Sequence, residues 1–355
     1  MTDILSLRAL SCILGGRKVV DAVNLDVAAG EIVCLLGHSG CGKTTSLRLA
    51  GGLETPSSGA VFLDGQSVSR PDYVLPPEKR GIGFLFQDYA LFPHLTLAEN
   101  ISFGLRGMTS DSAKRRIAEM LDAVGLTGYE KRYPEMLSGG EQQRAALARA
   151  LAPNPRLVLM DEPFANLDPQ LRDDMRDLTV RVLRDNRAAA LIVTHDAADA
   201  LRMADRIAVQ RNGRIVQTDT PETIFNAPAD LPTAEIFGPV NVMAATQNNG
   251  GLACALGNIA LPAPAPSCQI GFRPEDVQCG QTQDAVTFTG KIILGKSLGR
   301  QYLVQIELAD GQIIEGLLNR AEKPVGDKFS VPLAHIMLFT GSESETEEMG
   351  IGRGH

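Results

Sequence analysis

Gly37-His38-Ser39-Gly40-Cys41-Gly42-Lys43-Thr44 is a run whose residue types suit one task, holding a chain of phosphates. The glycines let backbone N–H groups approach an anion, the Lys43 ammonium adds positive charge, and the Thr44 hydroxyl is a hard oxygen ligand for Mg²⁺. Thr45 adds a second hydroxyl beside the loop. Alone, such an octet says only that a nucleoside triphosphate is bound, and octets of this kind also arise by chance. A second anion-friendly feature lies further on. Ser138, Gly139 and Gly140 open a helical stretch, and the first turn of a helix carries unpaired backbone N–H groups.

The neighbouring elements fit that chemistry. Ile32-Val33-Cys34-Leu35-Leu36 is a continuous apolar run, as expected of a strand buried on both faces, and it feeds the glycine loop. Thr44 to Ala50 then reads as a helix stopped by Gly51-Gly52. Ile117, Met120, Leu121 and Val124 recur at helical spacing, with Asp111 or Ser112 as the expected N-cap and Gly125 as terminator. Another helix runs from Ser138 through Gln142, Gln143 and Arg144 until Pro153 ends it. Two further apolar strands, Leu157–Met160 and Ala190–Val193, end at Asp161-Glu162 and just before His195. Ligand sites of open α/β sheets lie at such carboxyl ends.

Leu137-Ser138-Gly139-Gly140-Glu141-Gln142-Gln143-Arg144 resembles the signature of ATP-binding-cassette (ABC) ATPases. The family's other motifs follow in the expected order. Gln87 in Phe86-Gln87-Asp88 stands where the Q-loop belongs, and Leu157–Asp161 followed by Glu162 resembles Walker B and the catalytic glutamate. Asn166-Leu167-Asp168 falls at the D-loop, and Thr194-His195-Asp196 carries the switch histidine. Each piece is weak alone, since a lone Gln is more often a solvated surface residue. Together they imply an α/β P-loop cassette with a helical signature subdomain, working on ATP with Mg²⁺.

The resemblance implies a role for each residue. Lys43 would hold the β- and γ-phosphates, while Thr44 and Asp161 would hold Mg²⁺, with Gln87 sensing both metal and γ-phosphate. Glu162 would orient or deprotonate the attacking water, and His195 would meet the γ-phosphate from the far side. The backbone of residues 37–44 and Thr45 would complete the cradle. Ser138, Gly139, Gly140 and Glu141 would act on the ATP held by a second copy, with Asp168 at that interface. Two departures stand out. Leu14 occupies the place where the family stacks an aromatic ring on adenine, and Glu141 stands where glutamine is commonest.

At 355 residues, with 44% hydrophobic and 21% charged side chains, the chain suits two globular domains. Its formal net charge of −8 argues against a nucleic-acid partner. No apolar stretch approaches the roughly 18 residues that a membrane-spanning helix needs. The start, Met1-Thr2-Asp3-Ile4-Leu5, has an acid and no basic segment, so no signal peptide is expected. Cysteines 12, 34, 41, 254, 268 and 279 lack zinc-site spacing. Cys41 is either a small residue that merely fits its slot in the loop, the commoner case, or, beside Lys43 and a helix N-terminus that both favour a thiolate, a reactive thiol whose modification would inactivate and which ATP would protect.

The expected boundaries are an ATP-binding domain over 1–238, with its helical subdomain at about 96–151, a β domain over 239–340 and an acidic tail over 341–355. In the β domain, Tyr302, Val304, Ile306 and Leu308 alternate with polar neighbours before an Asp310-Gly311 turn, and Val286, Phe288 and Ile292 lie on another alternating stretch. Gly271-Phe272-Arg273-Pro274-Glu275 resembles the Arg-Pro-Glu element of the barrel-like (OB- or TOBE-like) domain appended to importer ATPases.

Tyr89-Ala90-Leu91-Phe92-Pro93-His94-Leu95-Thr96 resembles the segment by which importer ATPases grip a permease. The resemblance therefore implies a peripheral motor subunit on the cytoplasmic face of the inner membrane. It would pair with a second copy of itself, with integral-membrane permease subunits and, indirectly, with a periplasmic or surface substrate-binding protein. Leu75-Pro76-Pro77-Glu78-Lys79-Arg80-Gly81-Ile82-Gly83 looks most like ferric-iron uptake ATPases. Polyamine, phosphonate and thiamine importers share much of it, and sugar importers somewhat less. A soluble ABC ATPase of DNA repair or translation would carry long coiled coils or a second cassette, and neither is read here.

Overall fold

The computed structural model describes residues 3–105, 107–248, 250–319 and 327–340, so the acidic run from Glu343 to Glu348 lies outside the described residues. The chain divides into two compact units, Met1–Ile224 and Phe225–His355.

The first unit opens with a long hairpin, β1 (Asp3–Leu14) and β2 (Arg17–Ala28), joined through Gly15 and Gly16. β3 (Ile32–Leu36) is buried at every position because it has parallel neighbours on both sides, and α1 (Lys43–Gly51) follows. Gly52 ends α1 in the left-handed conformation at φ 76°, returning its N–H to the carbonyls of Arg48 and Leu49. β4 (Ser58–Leu63), β5 (Gln66–Arg70) and β6 (Tyr73–Val74) extend the hairpin into an antiparallel sheet of order β2-β1-β4-β5-β6.

After β7 (Gly83–Leu85) come three helices: α2 (Leu97–Ser102), α3 (Ser110–Ala123) and α4 (Gly139–Leu151). The N-cap of α3 is Thr109, two residues before Asp111 and three before Ser112, because its side chain accepts from the Ser112 N–H. At α4, Ser138 and Glu141 close a capping box. β8 (Leu157–Asp161), α5 (Pro169–Asp185), β9 (Ala189–Thr194), α6 (Ala197–Met203), β10 (Arg206–Arg211) and β11 (Arg214–Asp219) complete the unit. Its six-stranded sheet has the order β11-β10-β3-β9-β8-β7, parallel from β10 to β7, with β11 antiparallel at the edge. No helix among the described residues is long and apolar enough to cross a membrane.

The second unit is β-rich. One antiparallel sheet holds residues Asn241–Asn248, Gly251–Cys254, Gly257–Ile259, Ser267–Phe272 and Met337–Phe339. The other is built around the long strand Ala285–Ser297, which pairs with Lys328–Pro332 through its first half and with Gln301–Leu308 through its second. The switch falls near Gly290, where a Cβ would lie 2.3 Å from the Ile306 side chain, so only glycine lets the strands approach. Gly311, at φ 88°, turns Gln301–Leu308 into Ile313–Asn319, and Phe288, Phe329, Ile306 and Phe272 fill the core.

Candidate active site

Strand register brings the candidates to one edge. Leu36 lies opposite Thr194, Val193 opposite Asp161, and Met160 opposite Leu85. The carboxyl ends of β3, β9, β8 and β7 therefore deliver, side by side, the glycine loop, His195, Asp161-Glu162 and the segment carrying Gln87.

The loop from Gly37 to Gly42 is glycine-rich for two steric reasons. A Cβ on Gly37 would lie 2.1 Å from the Gln210 carbonyl, and one on Gly42, at φ 104°, would lie 2.3 Å from the Val19 carbonyl. Gly40, at φ 81°, has open space where a Cβ would stand, while His38 and Ser39 face solvent. Lys43 is only 4% exposed, and its Nζ donates to the carbonyls of Gly37 at 2.8 Å and His38 at 3.0 Å. A cavity of about 210 Å³ bounded by Ser39, Gly40, Lys43, Thr44, Thr45 and Glu162 lies against this loop.

The Thr44 hydroxyl donates to the Asp161 carboxylate at 3.0 Å. Burial raises the Asp161 carboxyl above its usual range and nearby Glu162 adds to the rise, while the bond from Thr44 and the charges of Arg48 and Lys43 oppose it. A hydroxyl and a destabilised carboxylate side by side are hard oxygen donors that suit Mg²⁺. Glu162 sits in the left-handed region at φ 42°, and its N–H donates to Val193. Its Oε2 lies 2.9 Å from the His195 Nδ1.

Cys41 departs from the reactive-thiol expectation. Its Sγ lies 4.0 Å from the Lys43 Nζ, but burial outweighs that charge and pushes the thiol up rather than down.

Gln87 is exposed, and its carbonyl accepts from Asn166 Nδ2 at 3.3 Å, which ties the glutamine segment to the loop after β8. Asp168 caps α5, accepting from the Gln170 and Leu171 N–H groups with Pro169 at the first helical position. The Ser138 hydroxyl and N–H both donate to Glu141 Oε2 at 2.8 Å, so Glu141 braces the helix start from its own first turn. No hydrogen bond joins Ser138, Gly139, Gly140 or Glu141 to the phosphate loop among the described residues.

The sequence did not reveal what steadies His195. Thr194 donates to Asp199, the Asp196 N–H donates to the Thr194 hydroxyl, and Asp196 caps α6. Arg176, buried on α5, pairs with Asp199 and reaches Asp196, while Arg172 donates to Asp196 at 2.8 Å. Burial raises the Asp199 carboxyl; Thr194 and Arg176 pull it down, and the charge of Asp196 adds to the rise. These partners come from separate elements, α5 and the segment from Thr194 into α6, so local spacing does not reveal them.

A glycine phosphate loop between a strand and a helix, with carboxylates and a histidine at adjacent strand ends, defines a P-loop nucleotide triphosphatase. The family model described as ABC transporter matches residues 20–165. The Fe(3+) ions import ATP-binding protein FbpC 1 of Rhodococcus jostii is 40% identical over 89% of this chain and 91% of its own length. The sulfate/thiosulfate import ATP-binding protein CysA 2 of Chromobacterium violaceum is 44% identical over 78% of this chain and 76% of its own. Among solved structures, cbiO1 of Clostridium perfringens, part of the ABC transporter complex cbiONQ, matches with TM-score 0.58 and 26% identity over 63% of this chain and 91% of its own. The dimeric cassette MJ0796, bound to ADP and Pi, matches with TM-score 0.54 and 31% identity over 61% of this chain and 98% of its own. The chain belongs to the ABC transporter family, as an importer-type ATP-binding ATPase.

Proposed function

We propose that this ATPase is the motor of a ferric-iron importer, residues 1–238 hydrolysing ATP and 239–340 forming an appended β module, with 341–355 as a tail. The observation that carries the motor reading is the meeting of Thr44–Asp161 and Glu162–His195 at adjacent strand ends. Thr44, Asp161 and Gln87 would hold Mg²⁺, which when bound neutralises charge on the phosphate oxygens. Lys43 and the N–H groups of the loop from Gly37 to Gly42 bind the phosphates. Glu162 accepts a proton from the attacking water, and His195 holds the Glu162 carboxylate in place.

Two copies would close head to tail around two nucleotides, the Ser138–Glu141 helix start of each meeting the ATP of the other, with Asp168 at the seam. The first-turn N–H groups of Gly139 and Gly140 favour that reading, as does likeness to a dimeric cassette. Closure would pull on permease subunits through residues 89–96, beneath a membrane on its cytoplasmic face, with a substrate-binding protein delivering cargo. Support for iron is the likeness to ferric-ion import proteins over nearly the whole chain. The sulfate/thiosulfate relative favours a second reading, an oxyanion importer.

Labelled ferric iron and labelled sulfate would be offered to a strain lacking this gene, complemented with wild type or Glu162→Gln. Iron uptake restored by wild type alone supports the first reading. Sulfate uptake restored instead moves the cargo to the second.

A further inference from the structure

Tyr89 and Ala90 follow Gln87 closely, and both have left-handed backbones, at φ 61° and 47°. Neither is glycine, so two consecutive residues resist the conformation they hold. Arg149, in the last turn of α4, donates from one guanidinium nitrogen to the Ala90 carbonyl at 2.6 Å and from the other to the Tyr89 carbonyl at 2.9 Å. The planar fork of arginine matches two adjacent carbonyls in a way a lysine ammonium does not. Its carbon Cζ also lies 5.6 Å from the centre of the Phe92 ring.

Just beyond, a second side chain grips the same loop. Asn100, 1% exposed on α2, accepts from the Phe92 N–H and donates to the carbonyls of Phe92, Leu95 and Thr96. The backbone from Tyr89 to Thr96 is thus held by two helical side chains, of which only Arg149 touches the strained turn. The Tyr89 side chain is buried, and its hydroxyl has no hydrogen-bond partner among the described residues. That turn is therefore secured through its backbone.

The helix that carries Arg149 in its last turn is capped at its other end by Ser138, about 16 Å away along its axis. We propose that Arg149 is a positioning residue that couples the two ends: it locks the Tyr89–Ala90 turn to α4, so that displacement of the Ser138 end moves Gln87 and the residue 89–96 segment together. The proposal rests on the reading of Gln87 as the γ-phosphate sensor. It predicts that the requirement for arginine comes from the strain of the turn, which glycine would relieve without a clamp.

The test compares kcat and KM for ATP in purified full-length wild type, Arg149→Lys and Arg149→Lys with Ala90→Gly, using thermal midpoints as a check on folding. Arg149→Lys is expected to lower kcat about tenfold with KM changed less than twofold, and the added Ala90→Gly to return kcat to within about threefold of wild type. A residue that merely stabilises α4 would not be rescued by glycine at position 90, so a persistent loss in the double variant overturns the proposal. Wild-type kcat in Arg149→Lys overturns it too. A Gln87→Ala control separates the two readings: wild-type kcat there removes the glutamine from the mechanism and the coupling with it, whereas a Gln87-dependent rate with no rescue sinks the clamp alone.

Discussion

The His195 Nδ1 lies 2.9 Å from the Glu162 Oε2, and the glutamate that receives this contact stands at φ 42°. A non-glycine residue in the left-handed region persists only where its surroundings over-determine it. Here the N–H of Glu162 is fixed by Val193, on the strand that ends at Thr194, so both partners of the contact hang from β9. The pair is thus positioned by backbone rather than by side-chain packing alone.

Glu162→Gln keeps shape and polarity but loses the basic carboxylate. ATP binding is expected to persist, hydrolysis to fall by about 10²-fold or more, and the variant to accumulate as an ATP-bound dimer on size-exclusion chromatography. Turnover at the wild-type rate would take Glu162 out of the chemistry.

Asp161 has a raised pKa in the folded state, chiefly through burial. An acid raised in this way stabilises the fold fully only below its unfolded value, near 3.9, and that stabilisation is lost as pH rises through the folded value. At neutral pH the ionised carboxylate is therefore a burden that a bound Mg²⁺ would offset. Asp161→Asn, which can still accept from Thr44, is expected to raise the thermal midpoint of the nucleotide-free protein at pH 8 while abolishing hydrolysis. The gain should shrink as pH approaches 4; a lower midpoint at pH 8 would contradict this assignment.

Arg176 and Asp199 form a buried ion pair beneath the His195 turn. Removing one partner strands the other charge in a dry site, at a cost of about 3–5 kcal/mol. Arg176→Met should lower the unfolding midpoint sharply, and a further Asp199→Asn should recover part of the loss. Equal midpoints for the single and double variants would mean that the stranded carboxylate is not the cause.

What the sequence revealed and what it hid divide along sequence separation. The phosphate loop, the Asp161-Glu162 ending of β8 and the helix start at Ser138 were legible because their chemistry lies in contiguous residues. The apolar runs of β3, β8 and β9 were legible because strands buried on both faces need no alternation. The N-cap of α3 was misread because Thr109, Ser110, Asp111 and Ser112 are all competent caps, and only the bond from Ser112 to Thr109 distinguishes them. Positive φ at Ala9 and Ala22, beside the register shifts of the β1–β2 hairpin, left no compositional trace. The grip of Arg149 on residues 89 and 90 and the Arg176–Asp199 pair join distant segments, and no spacing rule announces them.

Leu14 ends β1 with 41% of its surface exposed, and the preceding Ile13 is exposed as well. If Leu14 stands, as the family resemblance implies, where an aromatic ring would stack on adenine, the base would meet an apolar but non-stacking surface. Aliphatic contact rewards any purine alike, so discrimination between ATP and GTP should be weak. Leu14→Tyr restores a ring, worth about 0.5–1.5 kcal/mol by analogy with aromatic pairs, which is roughly a two- to twelvefold gain in affinity. Competition of ATP and GTP for a fluorescent ATP analogue, with wild type and variant side by side, measures both effects. Strict ATP preference in wild type, or no gain in the variant, would mean that the base is held by other groups.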